Sequence, residues 1–223
     1  MNSSPQTTQT PPADTSGQPA LRRITDYNRL IDELAYTYAG VFSPDSIAQA
    51  VADARAALEP TATIPDFLPI LVSRFAREQL NAAAQADGRI TKPVPELLFI
   101  CVQNAGRSQM AAALAQHLSA GKVHVSSAGS QPADQINPMA VQVLAERGIT
   151  LTEAYPKPLT NDVVHAADVI VTMGCGDACP IYPGKRYLDW DVADPNDQLI
   201  DRVRDIRDDL QTRIATLLRD LNI

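Results

Sequence analysis

Residues 101–108 have the side chains that nucleophilic chemistry on an oxyanion requires. The segment reads CVQNAGRS, so five residues separate the thiol of Cys101 from the guanidinium of Arg107. Arginine presents a planar fork of N–H donors that matches a tetrahedral oxyanion. Cationic neighbours and amide dipoles favour the thiolate form of a cysteine, which is its nucleophilic form. The pattern therefore predicts a cysteine nucleophile held beneath a bound oxyanion.

The remaining residues of this loop fit the same chemistry. A loop that leads into a helix directs unpaired backbone N–H groups, including that of Ala105, toward one anion site. Asn104 tolerates left-handed backbone angles, and Gly106 allows angles that a side chain would forbid. Ser108 can donate a hydrogen bond to the thiolate. We expect these four residues to bind the oxyanion and stabilise the thiolate.

The elements around the loop predict an α/β fold. The apolar run PELLFI at 95–100 is typical of a buried parallel strand, and an alanine-rich helix is expected at 108–120. Further strands are expected at 122–127, 167–173 and 185–190, and further helices at 138–147 and 199–221. Such alternation predicts an open parallel sheet with helices on both faces. Ligands of such sheets bind at the carboxyl ends of the strands.

The first 90 residues differ from the rest of the chain in composition and in apolar pattern. Residues 1–20 are rich in Pro, Ser, Thr and Gln, which predicts a disordered tail. Apolar residues recur at helical spacing through 21–86 and predict a small three-helix bundle. A bundle of this size has a marginal core unless it packs on something else. We therefore expect it to be a dimerisation domain, with the chain forming a homodimer.

Composition excludes several classes of function. The 223-residue chain has a formal net charge of −7, which argues against binding to nucleic acid or to an anionic membrane. No apolar stretch is long enough to cross a bilayer, and no secretory signal is visible, so we expect a cytoplasmic protein. Closely spaced cysteines in a reducing compartment are more often catalytic, redox-active or metal-binding than structural.

Two further groups of residues lie near strand ends. Cys175 and Cys179 follow the strand expected at 167–173, where they could relay oxidation, bind zinc or remain inert. Zinc needs four ligands and the three histidines are scattered, so no metal site is expected. A flexible, glycine-containing loop favours the redox interpretation. Candidate proton donors lie together on a later loop, and composition does not choose among them: Asp189, Asp191, Asp194 and Asp197.

The segment LLFICVQNAGRSQMA at 97–111 resembles the active-site loop of the low-molecular-weight protein tyrosine phosphatase superfamily, in particular its arsenate reductase branch. Matching motifs are SSAG at 126–129, NPMAVQVLAERGI at 137–149, VIVTMGC at 169–175 and the Asp194-Pro195 pair. The N-terminal helices are similar to those of actinobacterial arsenate reductases. The resemblance implies a catalytic domain at 95–223 and a role in arsenical resistance and detoxification.

The same resemblance implies roles for individual residues. Asp194 would be the general acid, and Cys175 and Cys179 would relay oxidation from Cys101. No cofactor would be bound; an external reductant, such as thioredoxin, a glutaredoxin-like protein, or mycoredoxin with mycothiol, would restore the thiols. Ala112 stands where relatives have a glutamate that helps to bind potassium, so no potassium site is expected.

Three other functions stay open. A phosphotyrosine-protein phosphatase would use Cys101, Arg107 and Asp194 without either later cysteine, although Asn196 stands where such phosphatases have aromatics. A mycothiol-dependent arsenate transferase would use Cys101 alone. A degenerate catalytic domain could instead sense oxyanions while the bundle recruits partners.

Overall fold

A computed structural model describes residues 27–62, 65–174 and 179–223. The predicted tail at 1–20 and Cys175 lie outside these ranges. The helices are α1 (Tyr27–Thr37), α2 (Pro44–Leu58), α3 (Leu68–Ala86), α4 (Arg107–Ser119), α5 (Pro138–Ala145), α6 (Asn161–Ala166) and α7 (Ile200–Asp220). The strands are β1 (Glu96–Cys101), β2 (His124–Gly129), β3 (Val169–Met173) and β4 (Arg186–Asp189). Short 3-10 turns at Glu59–Thr61 and Pro65–Phe67 join α2 to α3.

The four strands form one parallel sheet in the order β2-β1-β3-β4. Strand β1 lies between β2 and β3, and its residues are buried along its whole length. Cys101, its last residue, pairs in register with Gly129 of β2 and Met173 of β3. The carboxyl ends of three strands therefore meet at Cys101, the edge where parallel sheets bind ligands.

Helices cover both faces of the sheet, which confirms the predicted α/β class. Alternate residues of β1 point to opposite faces, as the two-residue period of a strand requires. Leu97, Phe99 and Cys101 join a core with α4, α5 and α7. Leu98 and Ile100 join a second core with α6 and with Ala82 of α3.

The three predicted N-terminal helices are present. Ser43 caps α2 by accepting a hydrogen bond from the backbone N–H of Ser46 at 3.1 Å, and Pro44 occupies the first helical position. The helices share a core that includes Leu34, Ile47 and Phe75. Since α3 also packs on α6, the rest of the chain supplies a surface for the small bundle.

Helix α6 is an element that the sequence analysis did not predict. It has six residues, too few for apolar periodicity to be read. Thr160 provides its N-cap by accepting a hydrogen bond from the N–H of Val163. Among the residues described, no helix is long and apolar enough to cross a membrane.

Candidate active site

The thiol of Cys101 lies at the floor of the loop between β1 and α4. Its side chain is buried, and 3.0 Å separates Cys101 Sγ from Ser108 Oγ. Ser108 is the second residue of α4 and is itself fully buried. A serine hydroxyl at this distance can donate to a thiolate, as the sequence analysis expects.

Asn104 ties the loop together from inside. Its backbone has φ of +48°, a left-handed conformation that asparagine adopts more readily than most residues. Its amide Nδ2 donates to Ser108 Oγ at 2.8 Å. Its Oδ1 accepts from Gln109 Nε2 and from the backbone N–H of Lys157, each at 3.0 Å. Both polar atoms of this buried side chain therefore serve to hold the loop.

The loop's carbonyl groups turn away from the anion site. The segment that follows β2 donates its backbone N–H groups to these oxygens: Gln131 to Val102, Ala133 to Gln103 and Asn137 to Ala105, at 2.8 to 3.0 Å. The N–H groups of residues 103–107, by contrast, donate to no acceptor within the described ranges. Unpaired amide donors in a loop at a helix N-terminus are typical of an anion-binding site.

Arg107 and Asp194 face each other across this loop. Arg107 Nη2 lies 2.6 Å from Asp194 Oδ2. The arginine side chain is 13% exposed and the aspartate side chain 48% exposed, so the carboxylate lies on the solvent side. Of the four aspartates that the sequence offered, Asp194 is the one paired with Arg107.

Packing against a distant residue excludes a side chain at Gly106. Its backbone has φ of −117° and ψ of −86°, outside both the helical and the strand regions. A Cβ at this position would lie 2.5 Å from Pro195 Cγ. The close packing of Pro195 on the loop, which positions the neighbouring Asp194, leaves no space for a side chain.

Polar side chains that the sequence analysis missed hold the Asp194 loop in place. Asn196 donates from Nδ2 to Gln103 Oε1 at 2.7 Å, and it accepts at Oδ1 from Asn137 Nδ2 at 3.0 Å. Asn137 also caps α5, which its Asn-Pro sequence could have signalled. Gln103 and Asn196 give no comparable local signal, because their partners are distant in sequence.

Of the two later cysteines, only Cys179 lies within the described residues. Cys175 lies outside the described residues, although its neighbour Gly174 approaches Arg107 so closely that a Cβ there would be 2.9 Å from Nη1. Cys179 is half-buried and packs against the core on the α6 side of the sheet. Cys101 belongs to the core on the opposite side. No group of three or more potential metal ligands occurs among the residues that the structure describes.

Comparison with known families accounts for most of the chain. The family model described as low molecular weight phosphotyrosine protein phosphatase matches residues 96–223, more than half of the sequence. The chain belongs to this family. A second model, described as the N-terminal domain of protein-tyrosine-phosphatase-like proteins, matches residues 27–84. The family match includes the whole loop that contains Cys101 and Arg107.

The chain is similar to two solved structures and to a further protein compared by sequence. The solved thioredoxin-dependent arsenate reductase of Corynebacterium glutamicum is 46% identical with a TM-score of 0.79, over 87% of this chain and 95% of that one. The glutaredoxin arsenate reductase of Synechocystis is 29% identical over 57% of this chain and 98% of its own length. A solved arginine phosphatase from Geobacillus stearothermophilus is 29% identical with a TM-score of 0.51, over 57% of this chain and 93% of that one.

Proposed function

We propose that this protein is an arsenate reductase that forms a covalent adduct on Cys101. The observation that carries the proposal is the buried Cys101 sulfur at the start of a loop of unpaired amide donors, which ends at the Arg107–Asp194 pair. This is the arrangement that attack on a tetrahedral oxyanion needs. The 46% identity to the Corynebacterium enzyme supports arsenate as the oxyanion.

In the first step, the Cys101 thiolate attacks arsenic(V) and an S–As bond forms. The loop amides and Arg107 hold the oxygens whose negative charge grows in the transition state. Asp194 donates a proton to the departing oxygen, which leaves as water. The product is a thiol–arsenate adduct on Cys101, and no electron has yet been transferred.

In the second step, a further thiol reduces the adduct. We propose that the Cys175 thiolate attacks Cys101 Sγ, so that a disulfide forms and the electron pair of the S–As bond passes to arsenic. Arsenic(V) becomes arsenic(III) and leaves as arsenite. Sequence position supports Cys175 as the first of the two later cysteines to react. It lies two residues after Met173, the strand partner of Cys101.

The oxidised pair must then reach an external reductant. Attack of Cys179 on Cys175 frees Cys101 and leaves a Cys175–Cys179 disulfide, which a dithiol reductant can open. The Corynebacterium relative favours thioredoxin as that reductant, and the Synechocystis relative keeps a glutaredoxin-like protein in consideration. A transferase that uses Cys101 alone with mycothiol and mycoredoxin is the alternative.

Reconstituted turnover tests the proposal. Arsenate should cause reductant consumption and stoichiometric arsenite release with thioredoxin and its reductase. The same preparation should be assayed on aryl phosphate and phosphoarginine, because the arginine phosphatase relative favours hydrolysis as a second function. Rapid hydrolysis without arsenite release would make this protein a phosphatase. Arsenate binding by calorimetry without turnover, under every reducing system, would make it an oxyanion sensor.

We also propose that the chain forms a homodimer through the helices within 21–86. Large apolar side chains remain exposed there, with Phe67 56% and Ile70 48% exposed. Light scattering of the full chain should give twice the monomer mass, and Ile70→Glu should lower it to that of the monomer. The same mass for the full chain and for Ile70→Glu would contradict this interface.

A further inference from the structure

The segment 153–160 lies between helix α3 and the nucleophile loop, and it contacts both. On its outer side, three α3 residues hold it: Arg74 pairs with Glu153 at 3.2 Å, Glu78 pairs with Lys157, and Gln79 accepts from the hydroxyl of Thr160. Arg74 and Glu78 are four residues apart and so lie on one face of the helix. Arg74 and Glu78 therefore hold this segment along one face of α3, and Gln79 adds a contact beside them.

The central pair is the most enclosed of these contacts. Lys157 Nζ lies 2.6 and 2.7 Å from the two carboxylate oxygens of Glu78. The two side chains are only 16% and 20% exposed. Since charges removed from water need a partner, neither side chain can keep its position once the other is neutralised.

Tyr155 encloses the same pair. Lys157 Nζ lies 5.5 Å from the centre of its ring, within reach of a cation–π contact. Burial raises the pKa of Tyr155, and the nearby carboxylate of Glu78 raises it further. The ring therefore stays neutral beside the lysine. The backbone oxygen of Tyr155 accepts from Gln109 of α4 at 3.0 Å, a second link from this segment to the loop.

On its inner side, the segment determines how Asn104 is oriented. The N–H of Lys157 donates to Asn104 Oδ1, which leaves Nδ2 to donate to Ser108 Oγ. Because that oxygen then acts as an acceptor, its own hydrogen is available for Cys101 Sγ at 3.0 Å. In this series of hydrogen bonds, every donor from Lys157 onward points toward the sulfur of Cys101, so the series stabilises the thiolate.

We propose that Glu78 and Lys157 are positioning residues for the nucleophile. By holding the segment 153–160 against α3, their ion pair fixes the Lys157 N–H that orients Asn104, Ser108 and finally Cys101. The N-terminal bundle would then take part in catalysis without touching the substrate. The catalytic significance of this inference rests on the proposed function, whereas its physical content concerns only the ionisation of Cys101.

The test measures the thiolate of Cys101 directly. In a full-length Cys175→Ser/Cys179→Ser background, Cys101 is the remaining cysteine, so thiolate absorbance at 240 nm reports it alone. Glu78→Gln and Lys157→Gln should each reduce the ionisation constant of this thiol about tenfold, the effect of weakening one hydrogen bond to a charged group. The double variant should lose no more than either single variant, because the two residues act as one unit.

Two matched variants separate positioning from general damage. Lys157→Arg retains the charge and should keep the wild-type absorbance profile. Glu33→Gln removes a carboxylate that lies 3.9 Å from Arg77 of α3 but contacts only the bundle, and it should also leave the profile unchanged. Additive losses in the double variant, a loss in Glu33→Gln, or wild-type absorbance in Glu78→Gln would each overturn the proposal.

The titration needs no arsenate, so the two proposals can fail independently. Normal arsenate reduction by the wild-type enzyme together with an unaltered profile in Glu78→Gln would reject the positioning role alone. A shifted profile in a protein that releases no arsenite would reject the reductase proposal and keep the positioning role.

Discussion

The guanidinium of Arg107 donates a hydrogen bond to the carboxylate of Asp194, with 2.6 Å between Nη2 and Oδ2. Asp194 Oδ1 also accepts from the backbone N–H of Asn196 at 3.0 Å. Both contacts fix the position of the Asp194 carboxylate beside Arg107, where the proposed mechanism needs a proton donor.

Replacement of Asp194 should separate proton donation from nucleophilicity. We expect Asp194→Asn to slow arsenite release in a single turnover by about 100-fold or more, the usual contribution of a general acid. Asp197→Asn is a matched control on the same loop, since Asp197 has φ of +57°, which asparagine tolerates. Equal rates in the two variants would remove Asp194 from the mechanism.

Single cysteine variants with stoichiometric arsenate should reveal the order of the relay. Cys101→Ser should release no arsenite, and Cys175→Ser should stall at the adduct unless a small thiol replaces the missing one. Cys179→Ser should release about one equivalent and trap a Cys101–Cys175 disulfide, because the last exchange is blocked. Non-reducing peptide mass spectrometry identifies that bond. Normal turnover of both later variants with mycothiol and mycoredoxin would indicate the single-cysteine transferase instead.

The packing of Pro195 on Gly106 predicts the effect of one added methyl group. Gly106→Ala should destabilise the protein by about 1–3 kcal/mol, as overpacking does, and should lower arsenate turnover by displacing the Asp194 loop. Urea denaturation gives the free energy of unfolding. Gly106→Ala/Pro195→Ala removes the clashing Cγ and should recover part of the loss. If the double variant is as unstable as the single one, the contact is not the reason for glycine.

His124 should make stability depend on pH. Its hydrogen bond with the Glu96 carboxylate raises the pKa of His124, although burial opposes the shift. A raised native pKa stabilises the fold fully below the unfolded pKa of about 6.5, and this contribution is lost as pH rises through the native value. The free energy of unfolding of wild type should therefore exceed that of His124→Gln most at about pH 5.5 and least at about pH 9.

Urea denaturation between about pH 5.5 and pH 9 measures the difference in the free energy of unfolding between wild type and His124→Gln. His117→Gln controls for removal of an exposed histidine. A constant or growing advantage of wild type over His124→Gln toward high pH would show that the Glu96 contact does not carry the effect.

The sequence by itself determined the fold class and predicted the chemistry of the 101–108 loop. Both depend on residues that are contiguous: an apolar run, a polar loop and a helix start lie side by side in the chain. The alternation of strands and helices is also local, so the parallel sheet and its ligand-binding edge followed from it. The family motifs added Asp194, which composition alone could not select.

Only the tertiary structure decided which distant residues support the loop. Lys157 contacts Asn104 across 53 residues of sequence, and Asn196 contacts Gln103 across 93 residues. Neither residue lies in a sequence pattern that marks such a contact. The loop sequence also does not reveal that packing of Pro195 excludes a side chain at Gly106. Hydrophobic periodicity tells which face of α3 is buried, but not that Glu78 meets Lys157, since ion pairing between elements depends on how they pack.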